Sequence, residues 1–282
     1  MTERLRARLH KLGIYAALGL LALPALAPLW WMVSTSLKGD AQIYGAGSTS
    51  GLGLLPTPAQ WHNYPSALQS VPFDQYLGNT LLLCVLNVLC ATSSSALVAY
   101  GFARIRFRGR GVLMALMIST MALPQHVTMI PVFAIFRHLG WYGSFLPLWV
   151  PALGGVPFFI FLLTQFFKSL PEELAEAARI DGAGEWRIFA TVMLPLARPA
   201  LVTCALFQFL STWNDFLGPL LYLNDPSKYT LAYGLQQFMA GIYGGKWAEL
   251  MAASALFTLP AILLFFFAQR TFIQGIATTG GK

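Results

Sequence analysis

Metal binding and nucleophilic catalysis both need clustered His, Cys, Ser or carboxylate side chains, and this sequence scatters them. His10, His62, His126 and His138 do not fall beside carboxylates at ligand spacing. Cys84, Cys90 and Cys204 match no zinc or redox pattern and read as small apolar residues inside greasy stretches. Ser119 and Thr120 lie seven and six residues before His126, a weak pairing for a nucleophile and its base. There is no Gly-x4-Gly-Lys-Ser/Thr phosphate loop and no His-Glu-x2-His. No catalytic residue and no metal ligand is therefore expected, and this chain is not expected to hydrolyse ATP itself. The well-charged stretch is elsewhere: Glu172, Glu173, Glu176, Asp181 and Glu185 stand with Lys168, Arg179 and Arg187 between two apolar runs. A charged segment stranded between greasy spans must face water, and the chemistry it offers is docking.

The elements that hold this segment are membrane spans. The chain is 56% hydrophobic and 10% charged, whereas soluble domains carry about 25% charged residues. A span needs about 20 apolar residues, and six are expected: Ile14 to Leu37, Tyr76 to Ala99, Val112 to Phe136, Phe145 to Phe167, Pro199 to Leu223 and Leu250 to Phe267. The first could pass for a secretory signal, with Arg4, Arg6, Arg8 and Lys11 ahead of it and Ala25-Leu26-Ala27 inside it. Pro28 follows at once and the run continues through Trp30 and Trp31, so an uncleaved anchor is expected.

The net charge of +7 sorts by side and is no nucleic-acid footprint. Arg4, Arg6, Arg8, Lys11, Arg104, Arg106, Arg108, Arg110, Lys168, Arg179, Arg187, Arg198, Arg270 and Lys282 share one side; Lys38, Arg137, Lys228 and Lys246 share the other. This bias puts both termini and the Glu176 segment in the cytoplasm. The expected layout is a cytoplasmic N-terminal segment (1–13), a six-helix membrane domain (14–267) with an external loop (38–75) and a cytoplasmic loop (168–198), and a cytoplasmic tail (268–282). Within the external loop, Gly45 to Gly53 should be mobile.

Inside the cytoplasmic loop, Ser169-Leu-Pro-Glu172 fits a capping box, which predicts a helix from about Leu170. Leu174, Ala177 and Ala178 fall on one side of it, and Gly182 is a natural stop. A second short helix carrying Trp186 and Phe189 follows, and Pro195 and Pro199 break the chain before the fifth span. A lipid-surface loop is the bland alternative, but it would favour a basic polar face, and this one is acidic.

The pattern Glu176-Ala-Ala-x3-Gly182-x9-Val192-x-Leu-Pro195 resembles the "EAA" signature of ABC-importer permeases, with Val192 where isoleucine is usual. Met129-Ile-Pro131, Trp213-Asn-Asp215, Pro219-Leu-Leu and Gln269-Arg270-x3-Gln274-Gly275 are similar to the maltose and glycerol-phosphate type of carbohydrate permease. The resemblance implies an all-α, six-span permease of type I importer architecture in a bacterial or archaeal plasma membrane. It implies a sibling permease, two cytoplasmic ATPase subunits that bind ATP and Mg²⁺, and an extracytoplasmic solute-binding protein. The loop would be the coupling helix seated in an ATPase cleft. Glu172, Glu173, Glu176, Ala177, Ala178, Asp181, Gly182, Ala183, Leu194 and Pro195 would form it, and the tail from Gly275 to Lys282 would touch the ATPase pair.

Polar groups inside spans are costly and default to functional candidates. Pro124, Gln125, His126 and Pro131 break the third span, which reads either as pathway lining or as a packed kink. Gln208, Asn214 and Asp215 mark the fifth, with Asp215 about 24 Å along it; it reads as a pathway group or, preferably, as a helix cap. Asn79, Asn87 and Ser93-Ser94-Ser95 read as interhelical hydrogen-bond glue. The rival class is a stand-alone secondary transporter or channel, but the spans carry almost no acidic residues apart from Asp215, fewer than ion coupling usually needs.

Overall fold

The computed structural model describes residues 3–45, 53, 55–239 and 246–279. Its helices in chain order are α1 (Glu3–Ser36), α2 (Asp40–Tyr44), α3 (Asn63–Ser70), α4 (Phe73–Arg104), α5 (Arg110–Met121), α6 (Gln125–His138), α7 (Leu146–Trp149), α8 (Pro157–Ser169), α9 (Glu173–Ile180), α10 (Glu185–Ile188), α11 (Leu194–Leu196), α12 (Arg198–Trp213), α13 (Leu217–Tyr222), α14 (Leu231–Met239) and α15 (Trp247–Thr279). Among the described residues, four stretches are long and apolar enough to cross a membrane: His10–Ser36, Phe73–Arg104, Leu146–Ser169 and Trp247–Phe267. Two bent pairs, Arg110–Met121 with Gln125–His138 and Glu185–Leu196 with Arg198–Trp213, raise the count to as many as six.

Two compact units divide the chain. The first comprises Met1–Pro72 and Leu235–Leu259. A helix end leaves carbonyls unpaired, and here the Asn63 amide donates to the carbonyls of Ser36 and Lys38, both at 2.9 Å, closing α1. Ser36 and Tyr64 share a hydrogen bond of 2.9 Å, and Ser70 donates to Glu249 at 2.7 Å. Lys38 sits 4.5 Å from the centre of the Trp31 ring. The expected external loop thus contains the two short helices α2 and α3. Of the stretch expected to be mobile, residues 46–52 lie outside the described residues, as do 280–282 of the tail.

The second unit comprises Phe73–Gly234 and Pro260–Lys282, and α4 is its axis, packed on both α8 and α12. The buried positions of α4 include Thr80, Cys84, Asn87, Ala91, Ser95 and Ala99, a stripe of mostly small side chains at steps of about one turn. Small residues let helices approach closely where no hydrophobic drive separates protein from lipid. Phe159, Leu163 and Phe167 of α8 and Ala200 and Cys204 of α12 fill the space against that stripe.

The third span bends by 101° between α5 and α6, as its prolines suggest. The break falls at Pro124; Pro131 lies inside α6 without ending it. The fourth stretch, Leu146–Ser169, matches the span expected over Phe145 to Phe167 and is built of α7, a 3₁₀ turn over Val150–Gly154, and α8. Gly155, at φ +77°, makes the corner, and a β-carbon there would lie 3.1 Å from Ile160 and 3.3 Å from Ser95 Oγ. The Val156 N–H freed by this break donates to Ser95 Oγ at 2.9 Å. Pro151, Gly154-Gly155 and Pro157 carried the signal for it. The stretch expected as the fifth span, Pro199 to Leu223, is α12 followed after a break by α13. α12 has 16 residues, about 24 Å at 1.5 Å per residue against about 30 Å of hydrocarbon.

Ser95→Ala should leave the Val156 N–H unpaired and lower stability by about 1–3 kcal/mol. The check is the melting temperature of the purified protein in detergent, with Ser93→Ala as control, because Ser93 bonds only the Leu89 and Cys90 carbonyls of its own helix.

Candidate functional site

The charged loop runs from the end of α8 to the start of α12. Leu170 is extended, with ψ 143°, because Pro171 follows it. α8 therefore stops at Ser169, whose hydroxyl turns back to the Phe166 carbonyl at 2.7 Å. The expected capping box does not form: α9 starts at Glu173, four residues after Ser169. The exposed carbonyls at the end of α8 are taken by Arg104 of α4, whose Nη2 donates to Phe167 at 2.7 Å and Leu170 at 2.6 Å. A cation at a helix C-terminus is also favoured by the helix dipole.

α9 carries Glu173 and Glu176 in its first turn, where negative charge suits that dipole. It ends as the glycine predicts. Gly182 has φ +80°, the Ala183 N–H donates to Ala178 at 2.9 Å, and the Gly182 N–H donates to Arg179 at 3.0 Å. Those two bonds are a Schellman turn. Ala175 is fully buried, and Ala178 and Ala183 pack against the α4–α8 core. Glu172, Glu173, Leu174, Glu176, Ala177 and Asp181 are exposed, and Ile180 is 87% exposed. One face of α9 is thus spent on its own bundle, while the acidic and apolar remainder points away from it.

Beyond the turn, α10 passes through a π-helical turn, Phe189–Met193, into α11, and the chain bends by 78° into α12. Pro195 does not break the helix; it lies inside α11, after the wide turn, and the bend comes at Ala197. Leu194 packs against the core and Pro195 is exposed. Trp186 is exposed at 71% while Phe189, its edge-on neighbour at 6.4 Å, is buried. Glu185 accepts at both carboxylate oxygens, from Tyr100 Oη at 2.6 Å and from Arg179 Nε at 2.9 Å. The Tyr100 hydroxyl first, and then Arg179, hold the Glu185 carboxyl below the usual carboxylate range.

A second feature is a polar cavity of about 470 Å³ in the second unit. Gln125, Gln208, Asn214 and Asp215 line it together with Asn87, Ser211, Thr212 and Thr230. Of the seven path residues expected from the sequence, Pro124, His126 and Pro131 stand outside it. Successive residues of a helix are turned by about 100°, so the first residue of α6 faces the cavity and the next does not. Asp215 Oδ1 accepts from the Gly218 N–H at 3.0 Å and opens α13. Asn214 donates to the Leu210 carbonyl at 2.7 Å and closes α12, and Gln208 donates to Thr212 at 3.2 Å. Asn87 lines the cavity and also donates to the Leu148 carbonyl of α7 at 2.9 Å, so the glue reading holds for it. Thr230 was not expected at all. It is buried, and its hydroxyl has no hydrogen-bond partner among the described residues.

Gly218→Ala should lower stability by about 1–3 kcal/mol, because its β-carbon would sit 2.4 Å from Asp215 Oδ2 and 2.9 Å from Leu148. Gly182→Ala meets open space and bears only the left-handed backbone, about 1–2 kcal/mol. Melting in detergent checks both, and the Gly218 variant should also change access of small thiol reagents to a cysteine placed at Ser211.

Residues 91–278 match the family described as "Binding-protein-dependent transport system inner membrane component". The chain is 30% identical to the diacetylchitobiose uptake system permease protein NgcG of Streptomyces coelicolor, over 94% of this chain and 87% of that one. It is also 30% identical to the trehalose/maltose transport system permease protein MalG of Thermococcus litoralis, over 91% of each. Among solved structures, it is similar to a chain of a bacterial ABC transporter involved in the import of the acidic polysaccharide alginate, with TM-score 0.81 and 26% identity, covering 96% of this chain and 98% of that one.

Proposed function

We propose, from the premise that this chain belongs to the family of binding-protein-dependent transport system inner membrane components, that it is one membrane-spanning half of an ATP-driven importer whose cargo is a carbohydrate. The observation that carries the coupling half of this reading is the state of α9. Its inner face is held by Ala175 and Ala178, its end is closed at Gly182, and its outer face leaves Glu172, Glu173, Glu176, Ala177 and Asp181 exposed among the described residues.

In this reading α9 is the coupling helix. It lies on the cytoplasmic face, where the positive-inside bias puts the loop, and seats in a cleft of a partner ATPase. Glu176 pairs with a basic group there, Ala177 allows close approach, and Leu194 and Pro195 set the angle at which the loop returns to the membrane. ATP and Mg²⁺ are held by that ATPase, and this chain contributes no step to hydrolysis. Closure of two ATPase subunits moves α9 and tilts the spans between inward-open and outward-open states. A sibling permease completes the pore, and a solute-binding protein delivers the cargo from the outer side of a bacterial or archaeal plasma membrane.

The cavity suits a neutral, hydroxyl-rich solute. Amide and hydroxyl groups dominate its polar lining, with Asp215 its one charged side chain among the described residues. Such groups both donate and accept, which is what a sugar's hydroxyls require. Gln125, Gln208, Asn214 and Asp215 would line the path, with Pro124 and Pro131 shaping the third span and His126 beside it. The family relatives named for diacetylchitobiose and for trehalose and maltose support a carbohydrate.

Purification of the tagged chain from its native membrane in mild detergent should recover an ATPase, a second permease and a solute-binding protein. In vesicles, that complex should take up solute only with ATP. Gly182→Glu should insert normally in the membrane and abolish ATP-driven uptake. Wild-type uptake by that variant would remove the docking role, and recovery of the chain alone, still moving solute without ATP, would make it a secondary transporter.

A further inference from the structure

Tyr100 is the point where three parts of the second unit meet. It lies four residues before the end of α4 and is only 3% exposed. Its ring packs edge-on against Phe167 of α8 at 6.1 Å and tilted against Phe189 of the π-helical turn at 5.1 Å. Its hydroxyl leaves that apolar setting and donates to Glu185 at 2.6 Å. The other oxygen of the same carboxylate takes Arg179 Nε, from the last turn of α9. One carboxylate is therefore held from two sides, by a core helix and by the docking helix.

We propose that Tyr100, Glu185 and Arg179 form a latch that carries movement of α9 into α4, with Tyr100 as a positioning residue for coupling. This rests on the importer reading and deepens it. The alternative route for such movement is apolar packing, and α9 has little. Ala175 and Ala178 are its inward side chains, and they are too short to interdigitate. A helix seated on alanines slides; a helix tied through a carboxylate does not. Charge-assisted hydrogen bonds are short, directional and stronger than neutral ones. The Arg179–Glu185 pair, with side chains 39% and 46% exposed, is weakened by water. The bond from the buried Tyr100 hydroxyl is the firmer half of the latch.

The second tie reinforces this geometry. Arg104, one turn beyond Tyr100, holds the carbonyls of Phe167 and Leu170 where the loop begins. α4 thus grips the loop at its entry through Arg104 and beyond the α9 turn through Tyr100. A load on α9 reaches α4 at two points one turn apart, which is the arrangement that turns a push into a tilt.

The test uses the whole complex in proteoliposomes and reads solute taken up per ATP hydrolysed. Tyr100→Phe keeps the ring and its packing and removes only the hydroxyl. Its uptake per ATP should fall about tenfold or more, the effect of one hydrogen bond to a charged group on an equilibrium, while receptor-stimulated hydrolysis changes by less than about twofold. Glu185→Gln should act alike, and the double variant should be no worse than either single one. Arg179→Lys, which keeps the charge facing Glu185, should retain more coupling than Arg179→Gln. A wild-type ratio in Tyr100→Phe overturns the latch. So does an equal fall of uptake and hydrolysis with a lower melting temperature, which would make the tyrosine a packing residue only. Absence of ATP-dependent uptake in the wild-type complex would instead overturn the importer reading, and the latch with it, before any variant is made.

Discussion

In the hydrocarbon core of a membrane an unpaired N–H or C=O finds no water, so every interruption of a helix must be answered by protein. That requirement organises the second unit. Where the third span turns, the corner residue is Pro124, which has no N–H to satisfy. Where the fourth span breaks, Ser95 takes the Val156 N–H and Asn87 donates to the Leu148 carbonyl. Where the fifth breaks, Asp215 takes the Gly218 N–H and Asn214 closes α12. Polar residues in the spans thus serve the backbone first.

The same residues then become available to a solute. Asn87, Asn214 and Asp215 each carry more hydrogen-bonding capacity than their backbone partners use, and all three line the polar cavity. Irregular backbone in a membrane belongs where it lines a wet space. The breaks after α5 and after α12 and the cavity are accordingly one feature, since they place Gln125, Asn214 and Asp215 beside the same volume. Gly218 is part of it, because only a residue without a β-carbon lets Asp215 reach back to the start of α13.

α4 connects this cavity to the docking loop. Near its middle, Asn87 reaches the cavity; toward its end, Tyr100 and Arg104 hold the loop on either side of α9. A single continuous helix with polar contacts at both levels can carry force between them, because its own backbone hydrogen bonds hold it together along its length. The importer reading places the driving partner at one level and the cargo at the other.

Much of this was legible in the residues. Runs of about 20 apolar residues mark spans because the bilayer sets that length, and Pro124 and Gly182 mark a corner and a stop through their own backbone limits. The Glu176-Ala-Ala to Pro195 pattern pointed to the family. Other features were misread or missed. Ser169 satisfied the spacing of a capping box, yet Pro171 held Leu170 extended and α8 took the serine. Tyr100, one residue past the expected end of the second span, was not singled out, although a buried phenol usually needs a partner for its hydroxyl. His126 read as equal to Gln125, and one helical step separated them.

The sequence by itself determined the long apolar stretches, the turn at Gly182 and the acidic surface of α9, because hydropathy, proline and glycine act through a residue's own chemistry and its near neighbours. Only the tertiary structure decided that Gln125, Asn87, Asp215 and Thr230 share one cavity, and that Tyr100 meets Glu185 across 85 residues of chain. Those meetings depend on the angles at which α4, α8 and α12 pack and on where each helix breaks, and side chains far apart in the chain fix both.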